Sequence, residues 1–306
     1  MNRVRITVDD LRRASDQEIR HTWSGSQWIK WLDAACVLRD PSFRNVVLIK
    51  LQMSRATLVA DRGTWLRVGR RVPHDESGIR IIKAAEPSRL DLVGSSVQGH
   101  GVSTVWDVSQ TYGPDLLPPS AAAGAGTTTL AIYNALVSIA DEAGHSFTVN
   151  PACHAVEPTS SSDDRGRIAS REDAGTTLAA AMVAHELAHV RMHKRTRDRT
   201  CRGLAQLEAN SVAYLLLAHF GRAVDVSPSL SLAAAAARFG KKHPERAIQM
   251  LGGRVLFTAR RLIDATERHL HASETTSRRA RQRRGILVEA PDLLPHVLPP
   301  DHGPGL

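Results

Sequence analysis

Apolar residues recur at helical spacing along most of the chain and alternate in strand fashion only briefly. Trp28, Ile29, Trp31, Leu32, Ala35 and Cys36 mark an amphipathic helix. After Pro41, the residues Phe43, Val46, Val47, Ile49, Leu51 and Met53 predict a second, buried one, with Asn45 among them as either a loop cap or a contact residue. Gly63, Gly69, Pro73 and Gly78 then break residues 56–83 into a turn-rich element, with a short helix around 64–68 and a strand over 78–83. Val102, Val105, Trp106 and Val108 predict a further strand closed by a polar turn, where Gln110 could contact a base or finish a sheet edge. Residues 114–129, rich in Pro, Ala and Gly, read as a linker.

Helical periodicity returns over 130–143, and short strands are expected in HSFTVNPACHAVE and at 167–170. Residues 176–193 form the next helix, with Leu178, Met182, Val183, Leu187 and Val190 as its apolar face and Thr176 or Thr177 as its cap. Residues 204–220 follow as another helix, and Ile248, Leu251, Val255, Leu256 and Leu262 are packing positions of a helix pair that ends near Leu270. Residues 1–24 are a polar lead-in, frayed or briefly helical. From 271 to 306 the sequence RRARQRRG and a Pro-rich end show no core pattern, so a disordered basic tail is expected.

At 306 residues the chain can hold two domains, each with its own core. Its three cysteines, Cys36, Cys153 and Cys201, are far apart and suggest neither a disulfide framework nor a zinc cluster. Neither a signal-like segment nor an apolar run of membrane length is present, which makes a soluble cytoplasmic protein the expectation. The net charge is +9, and residues 50–83 carry eight Lys/Arg against three acids. Here Trp65 is interleaved with Arg62, Arg67, Arg70 and Arg71, followed by Arg80 and Lys83. Guanidiniums on phosphates with an aromatic face under a base would suit single-stranded DNA. A buried Trp ringed by wet arginines accounts for the same residues.

The chemistry-bearing stretch is HELAH, with His185, Glu186 and His189 in H-E-x-x-H spacing. On a helix, residues four apart stand one above the other, so both imidazoles can reach one ion while Glu186 serves as a general base. Two ordinary surface histidines would be spaced the same way. A catalytic zinc needs a third protein ligand. Glu208, the single acid in the apolar 204–220 helix, can supply it or can lie at the solvent edge. Tyr214 and His219 could contact an intermediate but read as packing or surface positions, and His193 reads as exposed, one turn beyond reach of the ion.

HELAH followed by LEANSVAYLL resembles the ImmA/IrrE-type metallopeptidase domain. TLVADRGTWLRVGRRVPHDESGIRI with VWDVSQTYG is similar to the N-terminal single-stranded-DNA-binding domain of ArdC-type antirestriction proteins, which end in such a peptidase domain. Asp75-Glu76-Ser77 departs from the Lys-rich turn common in that family. The resemblance implies an α+β fold in two domains, a small α+β DNA-binding unit over 25–113 and a mainly helical zincin-like unit over 130–270. It implies Zn2+ on His185, His189 and Glu208, Glu186 as base, and single-stranded DNA and an unidentified peptide as partners. The expected activity is a zinc metallopeptidase in antirestriction or a mobile-element response. The alternatives are a DNA-masking protein with a non-catalytic zinc site and a regulatory protease that cleaves a repressor.

Overall fold

The computed structural model describes residues 6–21, 25–38, 42–84, 100–116, 127–149, 167–170, 175–193, 203–222 and 243–288. The fold is mainly helical with a small antiparallel sheet. Helices α1 (Val8–His21), α2 (Gly25–Leu38) and α3 (Phe43–Gln52) come first. Strand β1 (Val59–Ala60), helix α4 (Arg62–Arg67), β2 (Ile79–Ala84) and β3 (His100–Asp107) follow, and a 3-10 turn over Val108–Gln110 closes β3. Then come α5 (Thr129–Glu142), the parallel pair β4 (Ser146–Val149) and β5 (Arg167–Ser170), α6 (Thr176–Met192), α7 (Leu204–His219) and α8 (Pro244–Val288).

The three-stranded sheet has the order β1-β3-β2, all antiparallel, with Ile79 opposite Val105 and Ala84 opposite His100. Alternation along β2 buries Ile79 and Ile81 and leaves Arg80 outside. The outer edge of β2 is closed by a helix. Asn45 exchanges two bonds with the Ile82 backbone, at 2.9 and 3.1 Å, and Gln52, two turns on, does the same for Arg80 at 2.8 and 2.9 Å. Two amide side chains at i and i+7 thus satisfy the backbone as a neighbouring strand would. Asn45 is therefore a contact residue.

Asp107 ties the other edge. It is 1% exposed and accepts bonds from the Thr57, Leu58 and Ser109 backbones at 2.6, 3.0 and 3.0 Å. Burial alone would raise its pKa, yet the bonds from Ser109, Thr57 and Leu58 outweigh that and hold the carboxyl below its ordinary value. Gln110 completes a capping box on Asp107 and donates to Glu76 Oε1 and the Ser77 carbonyl at 2.7 and 2.8 Å, so it finishes the turn.

The buried apolar side chains form one contiguous cluster running from Ile19 to Ala265. The reason lies in α2 and α3. Trp28 of α2 stacks at 6.3 Å on Phe43 of α3 and donates through Nε1 to Ser211 Oγ of α7 at 2.9 Å. At Gly252 of α8 an added Cβ would lie 2.0 Å from the Phe43 ring, so glycine lets α8 close onto α3. Within α6, residues 180–188 are all buried, and α7 is buried over 207–213. The one-sided apolar face expected of α6 is thus too narrow a reading, because α5, α7 and α8 all pack on it. Its N-cap is Gly175 without a side-chain bond, in place of Thr176 or Thr177. No described helix is long and apolar enough to cross a membrane.

Beyond Ser273 the backbone stays helical to Val288, where a disordered tail was expected; arginine and glutamine are good helix formers and need no core partner to extend a helix already packed. Residues 289–306 and the expected Ala233–Ala237 run, Cys153 and Cys201 lie outside the described residues.

The first turn of α8 is held to α1 by Glu245, whose oxygens accept from Arg20 Nη2 and Nε at 3.0 and 3.1 Å. That hydrogen bond lowers the Glu245 pKa from 4.5 to about 2, against the opposing effect of burial. A depressed carboxyl contributes stability that is complete above the unfolded value and is lost as pH falls through the folded one. Wild type is therefore expected to lose stability between pH 4.5 and about 2 through this group. Glu245→Gln should lack that part of the acid slope and lose about 1 kcal/mol at neutral pH, since Arg20 is exposed and screened. Acid titrations followed by circular dichroism measure both, and parallel curves for the two proteins would reject the assignment.

Candidate metal centre

The HELAH segment lies within α6, sunk into the helical core, with His185 and Glu186 buried and His189 half-buried. His185 is 5% exposed and Glu186 and Glu208 are each 1% exposed. Ionisable groups in such a place require partners. His185 Nε2 and His189 Nε2 lie 2.9 Å apart, and together with a Glu186 carboxylate oxygen the ligand atoms all fall within 4.8 Å of one another. Burial lowers the His185 pKa to about 4, although a hydrogen bond with Asn210 pulls the other way. His189 falls to about 3 through burial and then the neighbouring His185 and His193. Both rings are neutral at pH 7. Two neutral rings can place at most one hydrogen between facing nitrogens, so a lone pair remains on that line. Neutral imidazole nitrogens beside carboxylates are the donors a divalent ion takes, and the residues present fit such an ion.

Glu208 is not part of this cluster. Its Oε2 meets His193 Nε2 at 2.8 Å, its Oε1 accepts from Arg254 Nη2, and His193 Nδ1 in turn lies 2.9 Å from His189 Nδ1. A polar line therefore runs from His185 through His189 and His193 to Glu208 and Arg254. The expectation of an exposed His193 is corrected: its side chain is only 13% exposed. Its i+4 spacing from His189 places it on the same face of α6. Asn210 and Arg254 were also missed. Asn210 lies two residues past Glu208, but Arg254 comes from a helix 46 positions away and no local spacing signals it. Tyr214 donates to Asp33 and His219 pairs with Glu267 at 2.8 Å, so both serve packing between helices.

The basic element divides in two. Trp65 is 2% exposed and its Nε1 donates to the Trp106 carbonyl at 2.9 Å, so its ring has no face for a base. Arg70 is 8% exposed and donates to Thr111 Oγ1 at 2.7 Å and to the Gly113 and Thr111 carbonyls at 3.2 and 3.0 Å. These two expected DNA contacts are structural, because a turn-rich element needs an anchor and a donor for its own carbonyls. Arg62 lies 4.5 Å over the Trp106 ring and donates to the Val72 and Pro73 carbonyls. Arg62, Arg67, Arg71, Arg80 and Lys83 are exposed.

No protein-family model and no curated protein matches the chain. Among solved structures it is similar to the antirestriction ArdC protein from plasmid R388. The Mn(II)-bound form is 18% identical, covers 74% of this chain and 87% of its own, and gives a TM-score of 0.44. For the metal-free form the identity is 17%, the coverage 75% and 85%, and the TM-score 0.46.

Proposed function

We propose that this chain is a zinc-dependent peptidase of the H-E-x-x-H kind, with His185 and His189 as ligands, Glu208 as the third and Glu186 as the general base. The observation that carries this reading is the pair of neutral Nε2 atoms at 2.9 Å with the buried Glu186 carboxylate beside them. When bound, the ion supplies Lewis-acid polarisation and a more acidic water. Glu186 accepts the proton of the attacking water at a carboxylate oxygen and hands it to the departing amine. Asn210 orients His185 by a hydrogen bond, and the helices around residues 180–188 exclude bulk water.

The division into a DNA-binding unit over 25–113 and a peptidase unit over 130–270 belongs to the same proposal. So does single-stranded DNA as partner, held by exposed Arg62, Arg67, Arg71, Arg80 and Lys83 through phosphate contacts alone. An antirestriction role would follow from both. A second reading, a DNA-masking protein with a non-catalytic metal site, is favoured by one observation: both Glu208 oxygens are engaged away from the histidine pair.

Titration of Zn2+ and Mn2+ into chelator-treated protein tests the metal centre common to both. Wild type and Glu186→Gln should bind one ion per chain, and His185→Ala should bind none at micromolar concentrations. Equal binding by His185→Ala would place the ion elsewhere and end the proposal.

A further inference from the structure

Glu208 is the buried group whose surroundings the peptidase reading leaves unexplained. Its side chain is 2% exposed and its two oxygens have different partners: Arg254 from α8 on Oε1, and His193, the C-cap of α6, on Oε2. The partners differ in kind. Arg254 is a cation with donors and no acceptor, so toward a carboxylate it can only donate. His193 sits between His189 Nδ1 and Glu208 Oε2, so its hold on Oε2 depends on which ring nitrogen carries hydrogen. Its hold on Oε2 is the one that can be exchanged.

The register of Arg254 is fixed from outside the site. Glu245 is held by Arg20, Gln249 donates to Asp16 Oδ1 at 2.6 Å, and Gly252 lies against Phe43. These contacts fall at successive turns along one face of α8, and Arg254 lies two residues beyond Gly252 on the opposite side of the same helix. The N-terminal helices thus set where the guanidinium meets Glu208.

We propose that Arg254 is the positioning residue of the third ligand: it pins Glu208 Oε1, leaving Oε2 as the ligating oxygen, and His193 is the group that Oε2 gives up when an ion enters. This rests on the metal reading above and assigns the roles around it. Removing the orienting partner of a ligand weakens metal binding about 10- to 100-fold in general, and removing a competitor does not weaken it.

The test is competitive titration of the metal-free full chain with Zn2+ against a chromophoric chelator, with melting curves of each metal-free variant. Arg254→Ala should weaken binding about 10- to 100-fold, and Arg254→Lys, which keeps the charge, should restore part of the loss. His193→Ala should bind at least as tightly as wild type. In a Glu208→Gln background Arg254→Ala should have no further effect, which a general loss of packing would not produce. Arg254→Ala binding within twofold of wild type would overturn the positioning role. His193→Ala binding as weakly as His185→Ala would make His193 a ligand and overturn its role as placeholder. Absence of any His185-dependent binding in wild type would remove the metal reading itself, a result distinct from either.

Discussion

Trp65→Ala should unfold or severely destabilise the sheet region, by about 3–5 kcal/mol, the usual cost of replacing a buried Trp or Phe with Ala. Trp65 is 2% exposed, and its indole N–H donates to the Trp106 carbonyl 41 residues away at 2.9 Å. Its backbone also closes the turn, since the Trp65 carbonyl accepts from Val68 and Arg70. Trp65→Phe keeps much of the volume and loses that donor, so a loss of about 1 kcal/mol is expected. Thermal melts of both variants give the order. The competing idea, a ring that stacks on a base, makes the opposite forecast: a wild-type melt for Trp65→Ala with weaker oligonucleotide binding, and that result would refute the burial account.

The contrast between Trp65 and HELAH shows what the sequence exposed and what it concealed. The spacing of His185 and His189 carries its own geometry, because a helix turn places both rings on one face whatever surrounds them. The buried α3, the short helix after Asp61 and the strand at β2 were legible for the same local reason, with apolar residues at a fixed period and glycines at the breaks. Arg70 was not legible. An arginine between Gly69 and Arg71 looks like surface charge, and only the return of residues 108–114 across the sheet buries it as a donor to their carbonyls. Glu208 was legible as an acid out of place in an apolar helix, but its partners His193 and Arg254 depend on how α6 and α8 cross α7. The bond between Trp28 and Ser211 was not legible either, since it joins residues 183 positions apart and no local pattern signals it.

Glu186→Gln should retain metal and lose peptide hydrolysis by roughly 100- to 10,000-fold, the usual contribution of a positioned general base. The amide matches the carboxylate in shape, so it leaves the histidine pair as it stands, but it accepts no proton near neutral pH. Glu186 is 1% exposed and lies on the same helix turn as His185. A carboxylate so buried beside two uncharged rings costs stability, which a purely structural metal site would have no use for. The substitution is accordingly expected to raise the melting temperature of the metal-free protein while abolishing turnover, an opposition of stability and activity that a packing role does not produce. A peptide library incubated with zinc-loaded wild type and read by mass spectrometry supplies the substrate on which the two are compared. Equal turnover by Glu186→Gln on a peptide that wild type cleaves would exclude the base. A wild type that holds its ion and cuts nothing in the library would favour the masking reading, in which Arg254 and His193 keep Glu208 from completing a catalytic site.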